Sequence, residues 1–417
     1  MIREFSIKNY KSIVDLTLPL GRINLFIGEN GCGKTNILEA MAMAAAAVAD
    51  RLGNEELYNR GVRIAKPDIT FSSFTGLKTS REVVFQFRDE PGTERDHEEA
   101  KLRLVLTAGT ENDSWARVKS EPAAVAAATQ ESMDSKELED VVRRINDGEP
   151  LEPSLRLKVL AAFRETMRTT TREQRALFFS LNKQRAHLTE FLTDFLIYNA
   201  NHLALRGLLN LSRKEPLGIH GENLDVTIAS LGDKGIRELL ERSALIRWVE
   251  RIFTDPDDKL KFDGYKLGRS TSTLYFRDRF MRKRANLFSA ENANEGILHA
   301  LFYLTLFISD RTPKTFGIDN IETALNPRLC RNLIKQLGDL AKAHDKQALI
   351  TTHNPAALDG LDLHDDEQRL FVVSRDDQGR TVANRIKLKP ETKGKEPRLM
   401  LSEMWMRGQL GGVPLEF

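Results

Sequence analysis

The sequence has few cysteines, no long apolar run and almost no excess of charge. Two cysteines in 417 residues, Cys32 and Cys330, cannot form a disulfide framework, and this count suits a reducing compartment. The longest apolar stretch, Ala40–Ala49, is too short to cross a bilayer, and the first residues show no secretory h-region. We therefore expect a soluble cytoplasmic protein with no membrane partner.

The charge balance argues against a chain that is basic throughout. Lysine and arginine number 62 against 60 acidic residues, which gives a net charge of +2. Such a balance gives no reason to expect a nucleic-acid coat, although it leaves room for a local basic groove. The length allows one large core or a few smaller ones.

A glycine-rich motif at residues 28–35 is the strongest signal in the sequence. It reads Gly-Glu-Asn-Gly-Cys-Gly-Lys-Thr and matches the phosphate-loop pattern G-x-x-x-x-G-K-[ST]. Glycines let the backbone wrap around a phosphate chain and direct its N–H groups at the oxygens. Lys34 can reach the outer phosphates, and the Thr35 hydroxyl can ligate Mg²⁺. The predicted phosphate-binding residues are Asn30, Gly31, Cys32, Gly33, Lys34, Thr35 and Asn36.

Segments of strand and helix character alternate around this loop and recur near the C-terminus. We predict strands over 23–27, 83–87, 102–106, 315–319, 347–351 and 370–374, and helices over 36–48, 295–308 and 327–343. This alternation predicts an α/β fold with a mostly parallel core sheet. Because both ends of the chain contribute to the sheet, the middle is an insertion.

The middle of the chain has a helical texture. Between about Pro122 and Leu192, alanine, leucine and charged residues dominate, and leucines recur at helical spacing. A turn over Pro216–Leu224 leads into further helix through about Phe253, and Leu260–Phe262 is predicted as a strand. We therefore divide the chain into an N-terminal lobe over 1–120, a helical insertion over 121–255 and a C-terminal lobe over 256–417.

The C-terminal lobe supplies a second set of polar residues at predicted strand ends. The strand 315–319 ends in Asp319, a usual place for a carboxylate that supports Mg²⁺. The strand after it leads into His353, which could hydrogen-bond a terminal phosphate. Ligands of open α/β sheets bind at these carboxyl ends, so we expect both residues near the phosphate loop.

Taken together, these motifs resemble an ATPase head of the ATP-binding-cassette (ABC) type, in the group of RecF, SMC and overcoming-lysogenization-defect (OLD) proteins. The resemblance implies ATP and Mg²⁺ as cofactors, with Asp319 and Thr35 as the metal-supporting residues. It also implies that His353 is the switch histidine and that Thr323–Asn326 is the D-loop. In such proteins two chains sandwich two ATP molecules. We therefore expect self-association into a dimer or a higher oligomer.

Two departures from this family pattern affect the chemistry. Asn320 stands where a glutamate normally polarises the attacking water, and asparagine cannot accept a proton at neutral pH. Hydrolysis is therefore slow, or Glu322 substitutes; the predicted catalytic set is Glu322, Asn320 and His353. The best match to the signature motif is Ala293–Gly296, with Asn294 in place of the usual serine. The residues expected to contact the partner's nucleotide are Asn294, Glu295, Gly296 and Asn326.

The interval between Lys34 and Asp319 is longer than a cassette head needs and far too short for an SMC-type coiled coil. The chain therefore resembles the compact ATPases of bacterial genome maintenance and anti-phage defence, with the ATPase subunits of the PARIS and Septu systems as the nearest group. This implies a sensor or scaffold that controls an effector encoded nearby, a nuclease or a toxin. The alternative is a RecF-like DNA-binding ATPase of recombination and repair. It is favoured by the basic segments Arg277–Arg284 and Arg164–Arg185.

Overall fold

The computed structural model describes residues 1–77, 80–89, 101–109, 114–118, 188–209, 216–257, 259–260, 270–388 and 399–411. Most of the predicted insertion, including the basic segment Arg164–Arg185, lies outside these residues. Within the described ranges, no helix is both long and apolar enough to cross a membrane.

A six-stranded sheet forms the centre of the molecule. Its strands are β3 (Ile23–Ile27), β7 (Ile197–Tyr198), β11 (Thr315–Ile318), β12 (Gln347–Thr352), β13 (Gln368–Arg375) and β14 (Thr381–Ile386). Their order is β14-β13-β3-β12-β11-β7, and every pairing is parallel except that of β14 with β13. Strands β3 and β12 are buried along their whole length, as expected of central parallel strands covered on both faces. The predicted α/β fold with a mostly parallel core sheet is confirmed.

A second, antiparallel sheet belongs to the N-terminal lobe. It comprises β1 (Ile2–Tyr10), β2 (Ile13–Pro19), β4 (Glu82–Asp89), β5 (Lys101–Ala108) and β6 (Trp115–Val118), in the order β2-β1-β4-β5-β6. Helix α1 (Lys34–Val48) shares one buried apolar cluster with this sheet, and its alanines and methionines are buried almost all round. Helix α2 (Asn54–Asn59) and a 3₁₀ helix, Pro67–Ile69, follow.

The remaining elements surround the other side of the core sheet. They are α3 (His202–Leu205), α4 (Leu224–Ala229), α5 (Gly232–Arg242), α6 (Glu295–Ile308), α7 (Pro327–Ala343), α8 (Leu401–Met406), and 3₁₀ helices at Ser243–Leu245, Ala290–Asn292 and Pro355–Gly360. A small antiparallel sheet, ordered β10-β9-β8, contains β8 (Val249–Thr254), β9 (Leu274–Asp278) and β10 (Leu287–Ser289). These elements share a second buried apolar cluster with the core sheet, and the apolar helix α6 contributes most of its residues to it.

One prediction for the middle of the chain is wrong, and another lies mostly outside the described residues. The helix expected to run through about Phe253 ends at Arg242, because the β-branched and aromatic residues of Val249–Thr254 pair with β9 as a strand. Leu260 lies in a turn, where its N–H donates to Asp255 at 2.8 Å, and the rest of the predicted strand Leu260–Phe262 lies outside the described residues. The pairing of β7 with β11 also brings the core sheet into the range assigned to the insertion.

Candidate functional site

The parallel register brings three strand ends together. Ile27 at the end of β3 pairs with Thr352 of β12, and Ile350 of β12 pairs with Ile318 of β11. The residues that follow these strands are Gly28, His353 and Asp319. The phosphate loop, the predicted switch histidine and the predicted metal-supporting acid therefore lie along one edge of the sheet, as the strand-end argument predicted.

The loop conformation explains why its glycines are needed. Gly33 has φ +111°, and a Cβ there would lie 2.1 Å from the Thr381 hydroxyl oxygen. At Gly28 a Cβ would lie 2.0 Å from the Val373 carbonyl oxygen. The β13–β14 hairpin therefore packs directly against the back of the loop, and no side chain fits at either position.

Lys34 and His353 converge on the loop. The Lys34 ammonium donates to the carbonyl oxygens of Gly28 (2.7 Å) and Glu29 (2.8 Å), and it lies 3.5 Å from His353 Nδ1. Burial lowers the pKa of Lys34. Burial and the Lys34 charge lower the pKa of His353 below its ordinary value, which favours the neutral imidazole at pH 7. A neutral imidazole can form a hydrogen bond beside the Lys34 ammonium without adding a second positive charge.

Thr35 and Asp319 form the oxygen pair expected of a Mg²⁺ site. The Thr35 hydroxyl lies 3.2 Å from both carboxylate oxygens of Asp319, and Thr351 Oγ1 donates to Asp319 Oδ1 at 2.6 Å. Within the described ranges, no group of three or more His, Cys, Asp or Glu side chains could hold a metal by itself. One hydroxyl and one carboxylate fit Mg²⁺, which binds through few protein oxygens together with substrate phosphates.

Asn320 and Glu322 have different surroundings. Asn320 has φ +57°, a conformation that asparagine tolerates better than most residues, and it lines the cavity beside the phosphate loop. Glu322 does not line that cavity. Its carboxylate accepts hydrogen bonds from Thr352 Oγ1 and from the backbone N–H of His353, both at 2.8 Å. This geometry suits Glu322 for positioning His353 better than for activating water.

The cavity at the loop has a volume of about 330 Å³. Two arginines that line it were missed by sequence reasoning, because neither belongs to a recognisable motif. Arg375 donates to the Gly31 carbonyl oxygen at 2.7 Å. Arg63 donates to Asn36 Oδ1 at 3.0 Å. The residues that line the cavity are Asn30, Gly31, Gly33, Lys34, Thr35, Asn36, Arg63, Asn320, His353 and Arg375.

A buried carboxylate holds Arg63 in place. Glu39 on α1 has no exposed surface and accepts from Arg63 Nε at 2.7 Å, while Lys11 pairs with its other oxygen. Burial alone would raise the pKa of Glu39, but the hydrogen bonds from Arg63 and the charge of Lys11 lower it overall. The carboxylate therefore stays ionised and orients the guanidinium toward the cavity.

The predicted signature and D-loop residues lie together but away from this cavity. Asn294 caps α6, since its Oδ1 accepts from Gly296 N at 2.8 Å, and Asn326 caps α7 by accepting from Leu329 N at 2.9 Å. A Cβ at Gly296 would lie 3.4 Å from the Ala324 carbonyl oxygen, so the two motifs are neighbours. In the part of the chain that the structure describes, none of Asn294, Glu295, Gly296 or Asn326 lines the cavity at Lys34.

The fold and the phosphate-loop site define an ATPase of the P-loop class with an ABC-type head. The chain belongs to the family described as "AAA domain, putative AbiEii toxin, Type IV TA system", whose model matches residues 102–359. A second model, described as "AAA domain", matches residues 4–189.

Two characterised proteins are similar to this chain over short segments. RecF, the DNA replication and repair protein of Bacillus cytotoxicus, is 42% identical over 55 residues, which are 13% of this chain and 15% of the relative. The OLD nuclease of Thermus scotoductus is 30% identical over 105 residues, 25% of this chain and 18% of the relative. The matched segments thus span less than a fifth of the length of either relative.

A solved structure confirms the fold over nearly the whole chain. The SMC head crystallised with the C-winged helix domain of ScpA aligns with a TM-score of 0.52 at 14% identity, covering 93% of this chain and 98% of that one. At this identity the likeness establishes the α/β head fold, and it does not transfer a partner or an activity.

Proposed function

We propose that this chain is an ATP-dependent switch that controls a partner effector, a nuclease or toxin encoded nearby, in bacterial anti-phage defence. Two chains would sandwich two ATP molecules, each chain supplying signature and D-loop residues to the other's site. The nearest functional group is the ATPase subunit of PARIS- or Septu-like two-component systems.

The observation that carries this proposal is the separation of two surfaces on one chain. Lys34 and Thr35 line one cavity, with Asp319 3.2 Å behind Thr35, while Asn294 and Ala324 lie on a separate edge where α6 begins. A site divided in this way is completed when a second copy brings its edge to the first copy's cavity. Burial of the terminal phosphate between chains would give ATP a higher affinity for the dimer, and such a difference is what a ligand-driven switch requires.

The residues at the γ-phosphate end support long-lived ATP-bound states. Asn320 faces the cavity and can orient a water molecule but cannot take its proton at neutral pH. The Glu322 carboxylate already accepts hydrogen bonds from the Thr352 hydroxyl and the His353 backbone N–H. Slow hydrolysis suits a sensor or scaffold, which acts through its assembled state. The description of the matched family, which names a putative toxin and a toxin–antitoxin system, agrees with an effector in the same system.

Native mass spectrometry tests the proposal on the chain expressed with its neighbouring genes and purified with ATP and Mg²⁺. We expect a second polypeptide bound to an ATP-dependent oligomer, and we expect both to be lost in Lys34→Ala. A wild-type homodimer that carries no second polypeptide would contradict control of an effector.

The alternative function, a RecF-like ATPase that binds DNA, is favoured by the β9–β10 hairpin. Arg251 lies opposite Arg277 across the small sheet, and the Arg251 guanidinium lies over the Phe253 ring. The turn of the hairpin adds exposed Arg279, Arg282, Lys283 and Arg284 around Phe280, whose surface is 76% exposed. Like charges placed opposite each other on neighbouring strands destabilise a sheet unless an anion joins them.

Duplex DNA binding at graded salt concentrations separates the two functions. The alternative predicts binding that weakens steeply between about 50 and 200 mM salt. It also predicts that Arg277→Glu together with Lys283→Glu abolishes that binding. No duplex binding in the presence of ATP would remove the alternative.

A further inference from the structure

A second polar cavity lies on the far side of α7 from the core. It has a volume of about 680 Å³ and is walled by one face of α7 and by the segment from Asp359 to Asp362. This volume falls within the range of small-molecule sites. None of its lining residues belongs to the phosphate-loop cavity.

Three cations of α7 face this cavity. Arg328, Arg331 and Lys335 lie at helical spacing on the exposed face, and all three line the cavity. In the described part of the chain, none of the three pairs with a carboxylate; the contact found is from Arg331 Nη1 to the Met400 sulfur at 4.0 Å. Like charges three and four residues apart repel each other on a helix.

The acidic residues that line the cavity already take part in an ion pair or in hydrogen bonds. Asp339 pairs with Arg242 at 3.4 Å, and Asp359 accepts from both the backbone N–H and the hydroxyl of Ser402. Asp362 accepts from the backbone N–H of His364 at 3.0 Å. The donors to Asp359 and Asp362 are neutral and leave both carboxylates charged, so the three cations of α7 exceed the two carboxylates without an ion-pair partner by one positive charge.

We propose that this cavity binds a phosphorylated small molecule that carries at least two negative charges. Two arginines can bind phosphate oxygens in a bidentate manner, and Lys335 adds a point charge. Asn332, which also lines the cavity, offers an amide group to the rest of such a ligand. A small molecule suits a cleft of this volume, whose three cations lie within about two turns of one helix, better than an extended acidic peptide does. This inference does not depend on the proposed function.

The walls of the cavity lead to two motifs of the ATP site. Helix α7 begins at the cap Asn326 of the predicted D-loop, and the 3₁₀ helix Pro355–Gly360 begins two residues after His353. A Cβ at Gly360 would lie 2.4 Å from the Arg331 carbonyl oxygen, so the two walls are in direct contact. A ligand that contacts both walls would thus touch the helix that follows the predicted D-loop and the 3₁₀ helix that follows His353.

Calorimetric titration with pyrophosphate in metal-free buffer tests the proposal. The titration uses Lys34→Ala as background, which removes the phosphate-loop lysine. We expect a dissociation constant below about 1 mM, and an increase of at least about tenfold when Arg331→Glu and Lys335→Glu are added. The matched control adds Lys8→Glu and Arg81→Glu, the same change of charge at exposed residues of the N-terminal lobe, and should bind as the background does.

Three outcomes would overturn the proposal. They are no pyrophosphate binding to the background chain, equal weakening by both pairs of substitutions, and binding of a glutamate decapeptide at this face where pyrophosphate does not bind. Circular dichroism of each variant shows whether the fold is retained; the substituted side chains are exposed, so we expect unchanged spectra.

Discussion

The backbone N–H of His353 donates to Glu322 Oε1 at 2.8 Å, while Thr352 donates to the other oxygen of the same carboxylate. Glu322 thus fixes the end of β12, where His353 approaches Lys34. Asn320, which is predicted to stand at the water-activating position, lines the cavity. The two side chains therefore have different surroundings, and this difference leads to the first two predictions.

Replacing Asn320 by a carboxylate should accelerate ATP hydrolysis. Asn320→Asp supplies a proton acceptor and keeps a residue that tolerates φ +57°. General base catalysis contributes about 10²- to 10⁴-fold, so even an imperfectly placed carboxylate should raise phosphate release at least about tenfold. Phosphate release under single-turnover conditions is the measurement. A rate equal to wild type in both Asn320→Asp and Asn320→Glu would show that this position does not face the water.

Glu322→Gln tests whether Glu322 is a base or a positioning residue. Glutamine keeps one oxygen that can accept from His353 or Thr352, so a positioning role predicts a partial loss of hydrolysis, with a larger loss in Glu322→Ala. A base predicts that glutamine and alanine suppress hydrolysis equally. The pH dependence of the rate in Glu322→Gln distinguishes them further, since loss of a base also removes its titration from the profile.

Arg63→Ala should weaken ATP binding. The guanidinium lines the cavity and is held by Glu39, and a hydrogen bond to a charged phosphate contributes about 1.5–3 kcal/mol, so we expect at least about a tenfold rise in the dissociation constant. Titration with a fluorescent ATP analogue measures it. Arg81→Ala removes an exposed arginine on the same lobe and should leave the affinity unchanged; equal effects of the two substitutions would exclude a specific role for Arg63.

Lys346→Met should lower the free energy of unfolding and leave the residues of the ATP site unchanged. Lys346 is buried, and its ammonium donates to Ser309 O, Thr312 O, Thr312 Oγ1 and Pro313 O just after α6 ends. Removing it takes the ammonium donor away from the Thr312 and Pro313 carbonyl oxygens, at a cost of about 1–3 kcal/mol in the free energy of unfolding. Urea unfolding is the measurement. Lys342→Met, an exposed lysine of α7, should cost less than about 1 kcal/mol.

The same lysine predicts a pH dependence of stability. Burial lowers the pKa of Lys346 to about 8 in the folded state, below its ordinary value of 10.5. Between these two values the unfolded chain binds the proton more tightly, so the contribution of this group to the unfolding free energy rises with pH, by at most about 3 kcal/mol. Below pH 8 the contribution is constant. Lys346→Met should lack this rise; an identical pH profile in both proteins would contradict the assignment.

Several elements could be predicted because local chemistry and packing agree. Helices α6 and α7 have the predicted limits, since Asn294 and Asn326 cap them and Pro327 favours a first turn. Strands β3, β11 and β12 were predicted from short apolar runs. The phosphate loop, Asp319 and His353 come together because parallel strands end at one edge.

Other features depend on contacts that no local pattern contains. The pairing of β1 with β4 joins segments about eighty residues apart into an antiparallel sheet, and short strands alone do not reveal which partner they take. Arg63 is held at the cavity by Glu39, a buried carboxylate that appears in the sequence as an ordinary charged residue on an apolar helix. Strand β8 was predicted as helix because it follows α5 without a clear break.

Sedimentation velocity of the purified chain, with and without ATP and Mg²⁺, tests the central claim most directly. A chain of 47.3 kDa should double in mass when ATP and Mg²⁺ are added. Lys34→Ala should stay at the mass of one chain, and so should Asn294→Arg, which alters the edge away from the cavity while leaving ATP binding intact. A mass that does not respond to ATP, or an ATP-induced dimer that forms equally well in Asn294→Arg, would contradict the account.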